Sequence, residues 1–221
     1  MKLGLLDFCA LVKRQSPVER IFETIQLAQE AEALGYSRYW LSEHHELGYA
    51  HHSPDLLAAI LAGGTEHIRI GVAGMLMLLH SPLRVAKTFR LMSALYGGRI
   101  DLGMGSGLTA EAAVLSGMRQ GAPPPTQEDY GQRVLQLLAL MRGGEGMPSF
   151  NPLDAAPCPL WVLGSGSPTT AAMAGTPGFS TVVLTAVLTT SACFDSFWAK
   201  TGPARSPTDT SVNKRVQVQR A

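Results

Sequence analysis

The chain has 221 residues, 46% of them apolar, with 18 basic and 17 acidic side chains, for a formal net charge of +1. That length fits one domain and that apolar content supports a sizeable core. The near-neutral charge argues against nucleic acid or an anionic membrane as the main partner. The three cysteines, Cys9, Cys158 and Cys193, are scattered, with no CxxC pair and no metal-ligand spacing. Together with the lack of a signal-like leader and of any stretch of ~20 apolar residues, this points to a cytoplasmic protein without membrane spans.

In chain order, strand-like and helix-like patterns alternate. Lys2–Phe8 reads as a buried strand. Ser16-Pro17 opens a helix with a serine cap and proline in the first position. Ile21, Ile25 and Ala28 form one apolar row, with Leu27, Ala31 and Leu34 beside it, and Gly35 ends the helix. Arg38–Leu41 is a second strand, and Ser53-Pro54 opens a helix to about Ala62. Ile68–Ala73 is a third strand; Ser81-Pro82 repeats the helix start, with Val85, Phe89 and Met92 on the buried face. Arg99–Gly103 is a fourth strand, followed by a proline-rich loop through Pro125. Val134, Leu137, Leu138 and Met141 mark another helix, and Leu160–Gly164 a fifth strand. Such alternation implies parallel strands joined by right-handed crossovers. The periodicity leaves open a doubly wound sheet and a (β/α)8 barrel. After about Thr176 the rhythm fades: Thr181–Thr190 reads as an extra strand, and the tail from Lys200 as disordered.

Ser42-Glu43-His44-His45-Glu46 directly follows the second strand, and His51 and His52 come soon after, so four of the six histidines lie within residues 44–52. In parallel α/β folds, sites collect at the C-terminal ends of strands. Imidazole suits proton transfer near neutral pH, and a neighbouring glutamate can set its tautomer. The competing readings are a solvated loop with incidental histidines and a zinc site. The zinc site lacks the i, i+4 histidine spacing of a zinc-binding helix and any nearby cysteine, so no metal is expected. Gly71-Val72-Ala73-Gly74 would let a planar ligand approach the backbone, or would simply allow tight packing. Gly103-Met104-Gly105-Ser106-Gly107 is a weak match to a dinucleotide fingerprint; it reads as a glycine-rich turn offering backbone N–H groups to a phosphate, or as an ordinary strand exit. Gly164-Ser165-Gly166-Ser167-Pro168-Thr169 suits either an anion at a helix start or plain N-capping.

In combination, several runs resemble the bacterial luciferase-like monooxygenase family. They are Gly35 to His45, Ser53-Pro54-Asp55, His80 to Ala86, Gly97 to Gly103 and Pro159 to Ser165. The resemblance covers residues 1 to about 175, beyond which the chain reads as shortened or altered. It implies a TIM-barrel type (β/α)8 fold, incomplete at the C-terminal end, with about five to six βα units. The expected division is a partial barrel over 1–178, an uncertain extra strand over 179–198 and a disordered tail over 199–221. It further implies a flavin-dependent monooxygenase that uses reduced FMN and O2 on a small organic substrate, with a separate flavin reductase. A non-catalytic flavin-binding relative and a deazaflavin-dependent oxidoreductase are the alternatives.

By matching position, His44 is the catalytic histidine that assists proton transfer, with His45 and Glu43 supporting it. Ala73 and Gly74 match the segment against the flavin ring, where the family often has a non-prolyl cis peptide. Gly105 and Ser106, and the turn with Ser165, Ser167 and Thr169, match phosphate-binding positions. At Ser106 the family commonly has an arginine, so loss of that charge predicts weaker flavin binding. Open sheet edges would favour a homodimer.

Overall fold

The computed structural model describes residues 3–107, 111–143, 146–152 and 155–164, together with the backbone of 179–183 and 216–220. Six parallel strands run in the order β1 (Leu3–Asp7), β2 (Arg38–Leu41), β3 (Arg69–Leu76), β4 (Ile100–Gly105), β5 (Leu160–Gly164) and β6 (Phe179–Val183), each beside its predecessor. That order settles the choice the periodicity left open. A doubly wound sheet reverses direction at a switch point, whereas a barrel adds each new strand to the same side. The sheet is therefore of the barrel type.

The crossover helices begin where serine–proline pairs occur. α1 (Pro17–Ala33), α2 (Pro54–Gly63) and α3 (Pro82–Leu95) each place proline in the first turn behind a serine. Of the three serines, Ser16 completes a capping box with Glu19, while Ser53 and Ser81 make no side-chain cap. α4 (Ala112–Met118) is a short helix within the stretch expected to be loop. α5 (Gln127–Arg142) buries Val134, Leu137, Leu138 and Met141, as their spacing predicts, and packs on α3.

Two expectations are corrected. The buried row of α1 is Arg20, Thr24, Ala28 and Ala31, while Ile21, Ile25 and Leu27 are only partly buried. The cause is Asp7, a buried carboxylate on the helix-facing side of β1. It is ion-paired with Arg20 and accepts hydrogen bonds from Thr24 Oγ1 at 2.9 Å, Tyr39 Oη at 2.8 Å and the Cys9 N–H at 2.8 Å. A buried charge demands partners, and α1 turns to supply them. The second correction concerns the tail. Within the segment expected to be disordered, Val216–Arg220 forms β7, which pairs antiparallel with the free edge of β1.

The two faces of the sheet alternate as strand geometry requires. Leu5, Tyr39, Leu41, Ile70, Val72, Ile100, Leu102, Leu160 and Val162 join the helices in the main core. The opposite, inner face carries Leu6, Trp40 and Ala73, flanked by Phe8, Trp161 and Leu163. Trp40 and Trp161 meet edge to face at 5.7 Å. At the N-terminal ends of the strands, Asp101 accepts from Arg38 Nε at 3.1 Å and from Arg69 Nε at 2.8 Å, which ties β2, β3 and β4 together.

Trp40 lies over Gly71, where an added Cβ would sit 2.4 Å from its Cζ3. Gly71→Ala is therefore expected to cost about 1–3 kcal/mol, the usual range for overpacking. Urea unfolding would show a lowered midpoint with an unchanged slope; an unchanged midpoint would mean that Trp40 is not seated there.

Candidate functional site

The chain leaves β2 with Ser42, Glu43 and His44, and the β2–β3 backbone pairing stops at Leu41↔Val72. Beyond that point a side chain takes over. Glu43, 3% exposed, accepts the Leu76 N–H at Oε2 (2.7 Å), which holds the end of β3 against the loop after β2. Its other oxygen, Oε1, is shared by His45 Nε2 at 2.8 Å and His80 Nε2 at 2.7 Å. Burial pushes the Glu43 carboxyl upward, but the hydrogen bond and charge of His80, the Leu76 N–H and His45 outweigh it and hold Glu43 below its ordinary 4.5. Glu43 is thus an ionised acceptor at neutral pH, and both imidazoles donate to it.

His44 sits beside this hub. Its ring stacks on Tyr49 at 4.1 Å with 9° between planes, and tilts against Phe8 at 5.6 Å. The two loops supplying these rings are joined by hydrogen bonds from Leu11 N to Gly48 O at 2.8 Å and from Ala50 N to Cys9 O at 2.9 Å. The His44 carbonyl accepts from His52 Nδ1 at 2.9 Å. Burial lowers the His44 pKa below 6.5 against the opposing pull of Glu46 and Glu43. At neutral pH His44 is therefore an uncharged imidazole in a fixed orientation, able to take a proton.

His51 is half-buried, and its buried Nδ1 and Nε2 have no partner among the described residues. Burial, only partly offset by Asp7, pushes its pKa down to about 4. A lowered value means that the unfolded chain takes up the proton first, so stability is complete above pH 6.5 and falls as the pH drops towards 4. The shift from 6.5 to about 4 corresponds to at most about 3 kcal/mol. Thermal unfolding from pH 7 to 4 should show this decline, and His51→Leu should flatten it; an equal slope in the variant would exclude His51 as the source.

The C-terminal half of β3 and the end of β4 meet. Ala73-Gly74 is a cis peptide, and a Cβ on Gly74 would lie 2.7 Å from the Gly105 backbone nitrogen. The small residue thus serves close packing of strand on strand here. The Gly105 carbonyl accepts from Met77 N at 2.9 Å and the Ser106 carbonyl from Leu78 N at 3.2 Å. Ala73, Gly74, Gly105 and Ser106 are therefore adjacent, and the Leu76 contact of Glu43 links them to the histidines. Ser165, Ser167 and Thr169 lie outside the described residues.

Sequence reasoning missed His80, whose run was noted only for resemblance. It also missed Phe8 and Tyr49 as the rings that hold His44. Ser42, which belongs to the polar cluster, has a buried Oγ with no partner among the described residues. Trp40 Nε1 and Trp161 Nε1 on the inner face are buried and unpartnered in the same way. Among the described residues no group of three or more His, Cys, Asp or Glu side chains could hold a metal ion. No described helix is long and apolar enough to cross a membrane.

Comparison with known proteins places this geometry in a family. The family model "Luciferase-like monooxygenase" matches residues 1–210, further than the motifs that stop near residue 175. The "Luciferase-like monooxygenase" of Escherichia coli (strain K12) is 32% identical over 165 residues, 73% of this chain and 49% of that protein. The crystal structure of apo-MsnO8 superposes with a TM-score of 0.76 at 35% identity, covering 81% of this chain and 54% of that one. The oxygenating constituent of 3,6-diketocamphane monooxygenase from Pseudomonas putida, solved in complex with FMN, shares the fold with a TM-score of 0.67 at 19% identity, covering 82% of this chain and 56% of that one. The chain spans about half the length of the curated relatives it matches. With barrel-type strand order, a histidine cluster after β2 and a family match over most of its length, the chain belongs to the luciferase-like monooxygenase family.

Proposed function

We propose that this chain binds reduced FMN at the C-terminal ends of β2 to β5 and acts in a monooxygenase reaction on a small organic substrate. The observation that carries the reading is the Glu43–His45–His80 hub beside a neutral, ring-clamped His44, one contact away from the Ala73-Gly74/Gly105-Ser106 junction. The residues fit a flavin. Ser42 Oγ, just past the C-terminal end of β2, is a buried polar atom without a partner among the described residues, a condition that a ligand with carbonyl and ring-nitrogen atoms would relieve. The family membership and the FMN bound to the camphane enzyme support the same cofactor.

Reduced FMN, when bound, supplies the two electrons that let O2 deliver one oxygen atom to the substrate and the other to water. The chain's own groups then have distinct tasks. His44 would hold or accept a proton at its imidazole, which its uncharged state permits. Glu43 and His45 keep the loop in place beneath it. Ala73 and Gly74 would hold the flavin ring, and Gly105, Ser106, Ser165, Ser167 and Thr169 would hold its phosphate. A separate reductase regenerates the cofactor.

The test supplies reduced FMN from a reductase under 18O-labelled O2, with aldehyde and thioether probes. One labelled oxygen atom in the product supports the reading. Flavin binding without labelled product would make the protein a non-catalytic flavin binder, and hydride transfer with a deazaflavin would replace FMN.

A further inference from the structure

We propose that His80 is a positioning residue of this site, the donor that locks the Glu43 carboxylate in the orientation from which it holds His45. Its functional meaning rests on the flavin reading above; its geometry does not.

A carboxylate oxygen accepts about two hydrogen bonds in its plane. Glu43 Oε1 has both places filled, by His45 Nε2 and His80 Nε2, while Oε2 takes the Leu76 N–H. The carboxylate therefore has three fixed donors, from the loop after β2, the loop after β3 and the end of β3 itself. His80 is in turn anchored from outside, because Arg133 of α5 donates to its carbonyl and, at 3.3 Å, to that of Met77. Arg119 adds a bond to the Leu78 carbonyl at 3.2 Å. The segment 77–80 is thus held by two guanidinium groups on its outer side and by the carboxylate on the other.

Two consequences follow from the donor count. The first is chemical: an ionised carboxylate only accepts, so His45 and His80 both carry a proton on Nε2. The second is electrostatic. The hydrogen bond from His80 is the largest favourable influence on the Glu43 charge, ahead of Leu76 and His45. Remove it and the buried carboxylate is under-solvated and free to turn from His45. The titratable and charged groups around the hub are His44, His45, Glu46 and His52 from the loop after β2, His80 from the loop after β3, and Arg119 and Arg133 behind it.

The experiment is nitrogen-15 imidazole NMR, with carboxyl carbon-13 titration of Glu43, on the full chain without flavin. In the wild type both His45 and His80 should carry a proton on Nε2 that is shared with Glu43. In His80→Phe the Glu43 carboxyl should titrate at a higher pH than in the wild type, and His80→Gln, whose amide keeps a donor near the Nε2 position, should return it towards the wild-type value. A purely structural role for His80 would lower stability in both variants and leave the Glu43 midpoint where it was. A wild-type His80 carrying its proton on Nδ1, an unmoved midpoint in folded His80→Phe, or no recovery in His80→Gln overturns the proposal. Should His80→Phe fail to fold, the wild-type tautomers and the Glu43 midpoint in His80→Gln decide it. Since no flavin is in the sample, these outcomes are separate from any failure of the chain to bind FMN.

Discussion

Replacing Asp7 by alanine is expected to cost about 3–5 kcal/mol of folding stability, the range for removing one partner of a buried ion pair. The reason lies in what remains. Arg20 is 7% exposed, and without Asp7 its charge has no buried counter-ion; its Nε bond to the Ala10 carbonyl at 3.3 Å is too weak to replace it. Thr24, Tyr39 and the Cys9 N–H lose their shared acceptor at the same time. Against a typical total of about 5–15 kcal/mol for a domain, such a loss removes much of the margin. Asp7→Asn keeps the shape and some of the hydrogen bonds, so it should fall between wild type and Asp7→Ala in a urea titration. If the two variants were equal to wild type, Asp7 would not be buried against α1. The charge also makes the pair acid-sensitive. Burial raises the Asp7 pKa, but Arg20 and the hydrogen bonds carry it below 3.8, so this contribution is whole above pH 3.8 and is lost as the pH falls further.

His44→Ala should reduce oxygenation turnover about 10²–10⁴-fold, the usual contribution of a positioned proton-transfer group. Affinity for reduced FMN should change little, because the variant leaves Ala73, Gly74, Gly105 and the Glu43 hub untouched. Tyr49 and Phe8 would lose the ring between them, a modest packing loss confined to two loops. Comparing single-turnover rates with separately measured flavin affinity distinguishes the two effects. Turnover equal to wild type would remove His44 from the chemistry; a parallel loss of flavin binding would make it a binding residue.

The legible parts of the fold were those written locally. Serine–proline pairs at 16–17, 53–54 and 81–82 marked the helix starts, because proline in the first turn is a short-range constraint. The spacing of Val134, Leu137, Leu138 and Met141 located the buried face of α5 for the same reason. The apolar stripe of α1 misled, because its orientation was decided by Asp7 on another element and not by hydrophobicity. Strand β7 was invisible for a related reason: Val216-Gln217-Val218-Gln219 alternates, but its pairing partner lies at the other end of the chain.

The site divides in the same way. Glu43, His44 and His45 stood out because they are contiguous and follow a strand. His80 meets Glu43 from 37 residues away, and only the adjacency of β2 and β3 brings them together. Phe8, read as the end of the first strand, and Tyr49 carry no local signal of a site until the loops after β1 and β2 are seen to be bonded to one another.

A flavin site at the C-terminal ends of these strands must bind reduced FMN without substrate or reductase. The most direct measurement is an anaerobic titration of the full chain with reduced FMN, followed by tryptophan emission, since Trp40 and Trp161 line the inner face. Saturable quenching at one flavin per chain is expected, weakened by Gly74→Val, whose side chain would displace the Ala73-Gly74 segment from Gly105. A folded chain that shows no saturable response to reduced FMN would contradict a flavin site there.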